Sequence, residues 1–330
     1  MPNDSPRSPV SADPAAASPV DRLVVAARRV VADQVVELEL QRPDAGRLPD
    51  WTPGAHLDLM LPNGLTRLYS LLGDPRDASS YRIAVQREEH GDGGSRFVHD
   101  RLEVGDMVGF GGPRNNFRLV PATSYAFVAG GIGITPILPM LRAATVLGID
   151  WRLLYLGRSP GALAYLAELA GHGDRVQLHC SGSSGARADI DAWIAESPSD
   201  AKVYACGPAG LLDAVVRAGA NRRAGWVRVE RFTATASGPA RATPFALEIA
   251  GTDRTLIVEP GTTVVETLRI AGFDVLTSCA RGVCGTCETE VLAGEPDHRD
   301  ALLDDAERAR GNCFFPCVSR SRSDRLVIAL

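Results

Sequence analysis

The stretch SCARGVCGTC, residues 278–287, places three cysteines in one short loop with the spacing C-x4-C-x2-C. This is the plant-type ligand spacing of a [2Fe–2S] cluster, whereas structural zinc sites usually combine two separated C-x2-C pairs. Gly282 and Gly285 suit a loop whose backbone amides turn toward sulfur, where each N–H stabilises the reduced cluster. The stretch therefore predicts an iron–sulfur domain over residues 245–330. Its candidate metal ligands are Cys279, Cys284, Cys287 and Cys317.

Spacing alone leaves the fourth ligand open, because Cys313 lies close before Cys317 and is a rival for the same position. Structural zinc or unligated thiols are the alternative interpretation of the whole cluster. Cys180 and Cys206 end strands of another segment and are expected to be unligated. Clustered thiols in a chain without an export signal indicate a reducing compartment, and we expect a cytoplasmic protein.

Composition narrows the class of protein. The chain has 330 residues, of which 45% are hydrophobic and 23% charged, the balance of a soluble globular protein of two or three domains. A net charge of −5 argues against nucleic-acid binding, which needs a basic excess. Residues 125–151 are apolar but are broken by glycine, proline and arginine, so we expect no membrane span. Residues 1–19 have no apolar core and predict a disordered tail rather than a signal peptide.

The hydrophobic pattern divides the rest of the chain. Residues 20–118 alternate short Val-, Leu- and Tyr-rich runs with turns, which predicts an antiparallel barrel or sandwich. In residues 119–232 strands alternate with helices, one of them predicted over 162–171, and this order is typical of a parallel sheet. Residues 233–244 are small and polar and predict a linker.

Two turns of the middle segment predict a nicotinamide site. The stretch GGIGITP, residues 130–136, follows a strand and opens a helix, where glycine lets the backbone approach a pyrophosphate. The stretch Cys206-Gly207-Pro208 ends a later strand of the same predicted sheet. Since ligands bind beyond the carboxyl ends of parallel strands, the two turns should line one crevice. Taken singly, each turn has the alternative interpretation of an ordinary tight turn.

The first segment contains a candidate flavin site. RLYSLLG, residues 67–73, combines an arginine, a tyrosine and a serine, and residues 90–100 place a glycine run before a short helix. Arg67 and the amides at that helix start could hold a phosphate, and Tyr69 could lie along a flavin ring. A surface hairpin followed by a capped helix is the alternative interpretation.

Together these motifs resemble the phthalate dioxygenase reductase family, which includes the vanillate O-demethylase reductases. The resemblance covers about residues 20–330 in the family's domain order. It is carried by Arg67-Leu68-Tyr69-Ser70-Leu71, Gly93-Gly94-Ser95, Gly112-Pro113-Arg114-Asn115-Asn116-Phe117, Gly130 to Pro136, Cys206-Gly207-Pro208 and Cys317-Val318-Ser319-Arg320.

The resemblance implies an FMN-binding antiparallel Greek-key barrel (20–118), an α/β NAD(P)H-binding domain (119–232) and an α+β, β-grasp plant-type ferredoxin domain (245–330). The FMN-binding residues that it implies are Arg67, Tyr69, Ser70, Val85, Gly94, Ser95, Thr135 and Phe232. For the nicotinamide it implies Thr135 and Cys206. The two turns add Gly131, Gly133, Pro136, Gly207 and Pro208 as candidate nucleotide-binding residues, and Arg158 and Ser159 are further candidates. Ser70, Thr135 and Cys206 are the implied catalytic residues. The match at Cys317-Val318-Ser319-Arg320 also makes Cys317 the implied fourth iron ligand.

The sequence departs from the family at Gly157-Arg158-Ser159, where no acidic residue follows the strand to bind a ribose 2′-hydroxyl. Arg158 and Ser159 could instead accept a 2′-phosphate, so NADPH is a possible cofactor. NADH is the expected cofactor because the resemblance implies it.

The number of electrons that each cofactor transfers predicts the order in which electrons pass between them. Nicotinamide gives two electrons as a hydride and an iron–sulfur cluster takes one, so the flavin belongs between them. The resemblance implies a Rieske-type terminal oxygenase as the external acceptor. A cytochrome P450 partner is the alternative, and a free-flavin or quinone reductase is a second alternative function.

An acidic stretch between the third and fourth cluster cysteines predicts where the oxygenase docks. Its members are Glu295, Asp297, Asp300, Asp304, Asp305 and Glu307. Charged redox interfaces are small and salt-sensitive, and an ordinary solvated face is the alternative interpretation.

Overall fold

The structure is a computed structural model that describes residues 21–185, 187–223, 225–233, 241–303 and 305–330. The predicted N-terminal tail, 1–19, lies outside the described residues, and so does most of the predicted linker, 233–244. The described residues form three principal sheets in succession along the chain, two of them antiparallel or mixed and the middle one parallel.

The first sheet is antiparallel and six-stranded, with the order β4-β3-β6-β1-β2-β5. Its strands are Arg22–Ala32 (β1), Val35–Gln41 (β2), His56–Met60 (β3), Thr66–Ser70 (β4), Ser80–Gln86 (β5) and Met107–Arg114 (β6), and helix α1 is Gly94–Asp100. In β5 the alternate residues Tyr81, Ile83 and Val85 point to one face and are fully buried. This inward row forms one core with the other strands of the sheet, and we refer to residues 21–118 as the barrel.

The second sheet is parallel and five-stranded, with the order β11-β10-β7-β8-β9. Its strands are Ser124–Gly130 (β7), Asp150–Gly157 (β8), Val176–Cys180 (β9), Lys202–Cys206 (β10) and Val227–Glu230 (β11). Its helices are Ile134–Val146 (α2), Leu166–Leu169 (α3), Ser181–Ser184 (α4), Ile190–Ala195 (α5) and Ala209–Ala218 (α6), with 3-10 turns at Gly131–Gly133, Pro160–Ala162 and Ala170–Arg175.

Strand β7 explains the continuous apolar run that the sequence has there. Tyr125, Phe127 and Ala129 pack on the face that α2 covers, whereas Ala126 and Val128 pack on the opposite face with α5 and α6. Both faces of the strand are buried, as expected for a parallel sheet covered by helices on both sides.

The helix predicted over residues 162–171 is wrong in extent. The chain forms a 3-10 turn, the four-residue α3 and a second 3-10 turn instead. Tyr165 adopts a left-handed backbone conformation with φ 64°. Its hydroxyl donates to Glu37 Oε2 of the barrel at 3.1 Å. A contact with another sheet thus interrupts the local helical pattern.

The third sheet is mixed, with the order β13-β12-β18-β14-β16, and a two-stranded sheet β15-β17 lies apart from it. Its strands are Phe245–Ile249 (β12), Thr255–Val258 (β13), Thr289–Ala293 (β14), Pro296–Asp297 (β15), Cys313–Phe314 (β16), Arg320–Ser321 (β17) and Arg325–Ala329 (β18). Helix α7, Val264–Ile270, begins with a capping box between Thr263 and Glu266, and helix α8 is Asp305–Arg310.

A buried carboxylate ties the barrel to the parallel sheet. Glu37 is almost fully buried. It accepts from Arg82 at 2.6 Å, from Arg29 at 3.2 Å and from the Tyr165 hydroxyl. Arg142 of α2 donates to the barrel carbonyls of Leu72 and Gly73. These satisfied polar contacts fix the first two sheets relative to one another.

Among the helices in the described part of the chain, none combines the length and the apolar character needed to cross a bilayer.

Candidate functional site

The four predicted iron ligands come together as two adjacent pairs of buried thiols. Cys279 is hydrogen-bonded to Cys284, and Cys287 to Cys317. The hydrogen bond from Cys279 lowers the pKa of Cys284 to about 5, and that from Cys317 lowers the pKa of Cys287. Among the described residues no three His, Cys, Asp or Glu side chains are grouped around one point for a single ion. Two adjacent thiol pairs suit a binuclear cluster with four cysteine ligands.

Backbone amides of the loop turn toward the sulfurs, as the sequence predicts. The Arg281 N–H donates to Cys279 Sγ at 3.2 Å, and the Gly282 N–H donates to Cys317. Gly282 and Gly285 have φ of 68° and 80°, in the left-handed region that favours glycine. Such N–H groups stabilise the negative charge that a reduced cluster carries.

Cys313 does not belong to the thiol pairs. It lies in β16, where it pairs with Glu290 of β14. Its thiol is partly exposed. Its pKa is raised mainly by burial and then by acidic side chains, of which Glu288 has the largest effect. The geometry therefore separates Cys317 from its rival, which spacing alone could not do.

The two predicted turns of the parallel sheet are in direct contact. A Cβ added to Gly133 would lie 2.2 Å from the Cys206 carbonyl oxygen, and one added to Gly130 would lie 3.5 Å from the Gly207 Cα. Cys206 is fully buried at the end of β10, beside the end of β7. The two turns thus meet at the carboxyl edge of the sheet, the edge at which parallel sheets bind ligands, and we refer to this place as the crevice.

The other predicted nucleotide residues lie along the same edge. Thr135 and Pro136 are buried in the first turn of α2, and the Thr135 hydroxyl donates to the Ile132 carbonyl at 3.0 Å. Arg158 is exposed immediately after β8, and its carbonyl accepts the Gly182 N–H that follows β9. The remaining predicted positions on this edge are Gly131, Ser159, Gly207, Pro208 and Phe232, the last with 40% of its surface exposed beyond β11.

Glu230 is a candidate functional residue that sequence reasoning missed. It ends β11 in register with Cys206 on β10, and the Cys206 Sγ lies 3.9 Å from its carboxylate. Burial raises the pKa of Glu230 to about 8. Burial also raises the pKa of the Cys206 thiol well above its ordinary value. The crevice therefore ends in a thiol and a carboxyl that both hold protons near neutral pH.

The predicted flavin residues of the barrel cluster around β4 and the loop before α1. Arg67 and Tyr69 alternate along β4 and point to the same face. A Cβ on Gly94 would lie 2.6 Å from Arg67 Nε, so glycine is needed there for the guanidinium to fit. The Ser95 hydroxyl oxygen accepts the Glu88 N–H at 3.0 Å, which leaves its own proton available for donation.

Ser70 and Val85 complete the barrel residues. Ser70 is buried at the end of β4, opposite His56 of β3. Val85 is buried in β5, and its carbonyl lies 2.9 Å from His99 Nε2 of α1. Strand β5 contacts the 3-10 turn Gly131–Gly133, so the barrel residues adjoin the crevice.

The cluster loop also contacts the barrel near the candidate flavin residues. The Arg281 guanidinium is hydrogen-bonded to Asp92, in the loop before α1, and it acts electrostatically on Tyr69. Asn116 Nδ2 donates to the Cys284 carbonyl at 3.1 Å. The barrel, which carries the candidate flavin residues, is therefore in contact with both the nucleotide segment and the cluster loop.

The acidic stretch is largely paired within its own sheet. Asp300 is buried and accepts the N–H groups of Leu302 and Leu303, so its prediction as a surface docking charge is wrong. Asp297 pairs with Arg299 at 2.8 Å, and Glu295 lies 3.3 Å from Arg322. Asp304, also in the stretch, lies outside the described residues.

Comparisons with known proteins agree with this arrangement. A family described as a 2Fe-2S iron-sulfur cluster binding domain matches residues 247–322. The chain is 42% identical over 300 residues to a phenoxybenzoate dioxygenase subunit beta of Ectopseudomonas oleovorans, covering 91% of this chain and 94% of that protein.

Two solved structures are also similar over nearly the whole chain. Phthalate dioxygenase reductase, described as a modular structure for electron transfer from pyridine nucleotides to [2Fe–2S], is 36% identical with a TM-score of 0.69, over 94% of this chain and 97% of that one. An intact type IV self-sufficient cytochrome P450 monooxygenase is 36% identical with a TM-score of 0.85, over 94% of this chain. The chain spans only 41% of the length of that P450.

Proposed function

Because the chain belongs to the phthalate dioxygenase reductase family, we propose that it is the reductase component of an oxygenase system. In this role it passes electrons from NAD(P)H through FMN to its own [2Fe–2S] cluster and on to a Rieske-type terminal oxygenase. The observation that carries the proposal is the spatial order of three candidate sites. The barrel contacts the nucleotide crevice through β5 and the cluster loop through Asp92, whose carboxylate also lies 3.7 Å from Arg67.

The residues that would hold the cluster are Cys279, Cys284, Cys287 and Cys317, and their thiol pairs fit a binuclear group. When bound, the three cofactors supply a two-electron entry as hydride and a one-electron exit. The chain's own contribution at this end is the inward N–H of Arg281 and Gly282, which favours the reduced state of the cluster.

FMN would lie against the face of β4 that carries Arg67 and Tyr69. The Arg67 guanidinium, which Gly94 allows to approach the start of α1, and the hydroxyl proton of Ser95 fit a terminal phosphate. Ser70, Val85, Thr135 and Phe232 are assigned to the flavin ring on the family resemblance, and the contact of β5 with the 3-10 turn Gly131–Gly133 supports placing the ring near this junction.

The nicotinamide nucleotide would occupy the crevice formed by Gly131, Gly133, Pro136, Gly207 and Pro208, beside Cys206. Thr135 and Cys206 orient the nicotinamide, and with Ser70 they are the residues assigned to catalysis. Arg158 and Ser159 are available to a ribose hydroxyl or a 2′-phosphate at the end of β8. NADH is the expected donor, and NADPH is accommodated by the same two residues.

The finer fold assignments belong to the same proposal. Three domains over residues 20–118, 119–232 and 245–330 agree with the three successive sheets. The strand order of the first sheet supports a Greek-key barrel, because β6 returns to lie between β3 and β1. A mixed sheet packed on α7 supports a β-grasp ferredoxin domain. Metal-binding thiols favour a reducing compartment, and we assign the protein to the cytoplasm.

A cytochrome P450 is the second candidate acceptor. The observation that favours it is the similarity to the type IV self-sufficient P450 monooxygenase, in which a chain of this kind accounts for 41% of the length. In either case the cluster is the exit for single electrons, and the acceptor docks near the ferredoxin domain.

Optical titration with NADH and NADPH tests the proposal. The purified protein, loaded with flavin and cluster, should show flavin bleaching followed by loss of the cluster absorbance in the absence of any acceptor. Purified Rieske-type oxygenase and P450 candidates are then compared for reoxidation of the cluster. Absence of flavin bleaching with both nucleotides would contradict the proposed function.

A further inference from the structure

One ion pair joins the cluster loop to the barrel. The Arg281 guanidinium is hydrogen-bonded to the Asp92 carboxylate, although the two residues are 189 positions apart in the chain. Arg281 lies in the cluster loop between Cys279 and Cys284, and Asp92 lies in the barrel loop before α1. The pair therefore connects two domains immediately beside two candidate iron ligands.

The same carboxylate also faces the flavin side. Arg67 Nη2 lies 3.7 Å from Asp92 Oδ2, and only 16% of the Arg67 side chain is exposed. Tyr69 and Glu88 are the other titratable groups that act on Arg281. The guanidinium groups of Arg67 and Arg281 thus approach the same Asp92 carboxylate, whose negative charge offsets their mutual repulsion at this junction.

Asn116 supplies a second, uncharged contact. It donates to the Cys284 carbonyl at 3.1 Å. Its Nδ2 would also lie 3.5 Å from a Cβ added to Gly285, so the side chain packs close to this glycine. The two contacts hold both ends of the segment 281–285, and only one of them is sensitive to salt.

We propose that the Arg281–Asp92 pair is a docking contact that holds the cluster loop against the flavin side of the barrel and so sets the rate of electron transfer from flavin to cluster. This inference rests on the proposed function. The two electrons of each hydride pass the junction one at a time to the cluster and on to the external acceptor, and the proton is released to solvent. Arg281 and Asp92 are thus positioning residues, since they act by fixing the distance that each electron crosses.

The pair is expected to be reversible. The Asp92 side chain is 69% exposed and that of Arg281 39%, and ion pairs of this exposure shift an equilibrium by a factor of about two to five. Such a contact orients the loop during reduction without locking it, which suits a cluster that must also serve an external acceptor.

A double-mutant cycle on the full chain, loaded with flavin and cluster, tests the inference. Stopped-flow absorbance follows flavin bleaching and cluster reduction after mixing with NAD(P)H for Arg281→Gln, Asp92→Asn and the double variant. The Arg281→Gln substitution removes the charge of the side chain but keeps the backbone N–H that donates to Cys279. We expect unchanged flavin bleaching and cluster reduction slower by about two- to fivefold in all three variants, with no added loss in the double variant. Moderate salt should slow the parent but not the variants.

The matched control is Arg325→Gln, which breaks the Arg325–Glu248 pair between neighbouring strands of the ferredoxin sheet. It should leave cluster reduction and its salt dependence as in the parent. If Arg281→Gln loses its cluster, Asp92→Asn, which leaves the cluster loop intact, decides the matter.

Hydrogen exchange gives a readout that does not depend on turnover. Peptides that contain Asp92 and Arg281 should exchange faster in the single variants than in the parent or the control. Unchanged cluster reduction together with unchanged exchange would overturn the inference, as would fully additive losses in the double variant. A parent that shows no flavin bleaching overturns the proposed function instead, and exchange alone then decides whether the pair docks the loop.

Discussion

Gly133→Ala should separate the two turns of the nucleotide crevice. Gly133 has φ −61° and ψ −4°, a conformation that alanine adopts readily, so the substitution carries no backbone strain. Its Cβ would nevertheless lie 2.2 Å from the Cys206 carbonyl oxygen and 2.8 Å from the Gly207 nitrogen. Ordinary contact begins at 3.4 Å, so the turns must move apart by about 1 Å.

The magnitude follows from this displacement. Overpacking of a buried contact costs about 1–3 kcal/mol, and the gain of alanine over glycine at a helix start offsets at most about 1 kcal/mol of it. We expect the melting temperature of the nucleotide-binding segment to fall by roughly 3–6 °C. Trp151, Trp193 and Trp226, three of the four tryptophans, lie in this segment, so their fluorescence reports its unfolding. A shift of about 1 Å at the nicotinamide should also slow flavin bleaching by NAD(P)H at least about tenfold.

Gly210→Ala is the matched control for the same change. Gly210 lies in α6, and an added Cβ there meets no atom within 4 Å. This variant should melt at the same temperature as the parent or slightly higher and should bleach its flavin at the parent rate. If Gly133→Ala behaves like Gly210→Ala in both assays, the close contact of the two turns is not what organises the crevice.

Three further predictions concern the cofactors and pH. Cys317→Ser should abolish the electron paramagnetic resonance signal of the reduced cluster, because a thiolate ligand is lost. Cys313→Ala should retain this signal, and its loss in that variant would reverse the ligand assignment. Heat should release FMN, identified by its mass, because the phosphate-side features at Arg67 are compact, and recovery of FAD would contradict this. The raised pKa of Glu230, about 8 against an ordinary 4.5, means that the folded protein binds more protons than the unfolded chain between these values. The free energy of unfolding should therefore fall as pH rises from about 4.5 to 8. Glu230→Gln should remove this pH dependence and stabilise the protein above pH 8 by about 1 kcal/mol or more. If the melting temperatures of parent and variant change equally between pH 5 and pH 8.5, Glu230 has no such effect.

Local patterns in the sequence were sufficient for the architecture. Three patterns were used: short strands separated by turns, strands that alternate with helices, and the C-x4-C-x2-C spacing. Each pattern depends on residues close in the chain, and each predicted element type is present in the structure. Gly282 and Gly285 were informative for the same reason, since the left-handed turns that they permit are local. The extent of the helix at 162–171 was predicted wrongly because Tyr165 turns to meet Glu37, a residue of another sheet.

Candidate residues for iron, nucleotide and flavin could be predicted from the sequence, because those chemistries leave short motifs. Only the tertiary structure separated Cys317 from Cys313, brought Glu230 beside Cys206, buried Asp300 and joined Arg281 to Asp92. Each of these outcomes depends on which strands become neighbours and on which loops meet across domains. Pairing and burial are set by the packing of the whole chain, so no spacing within one segment encodes them.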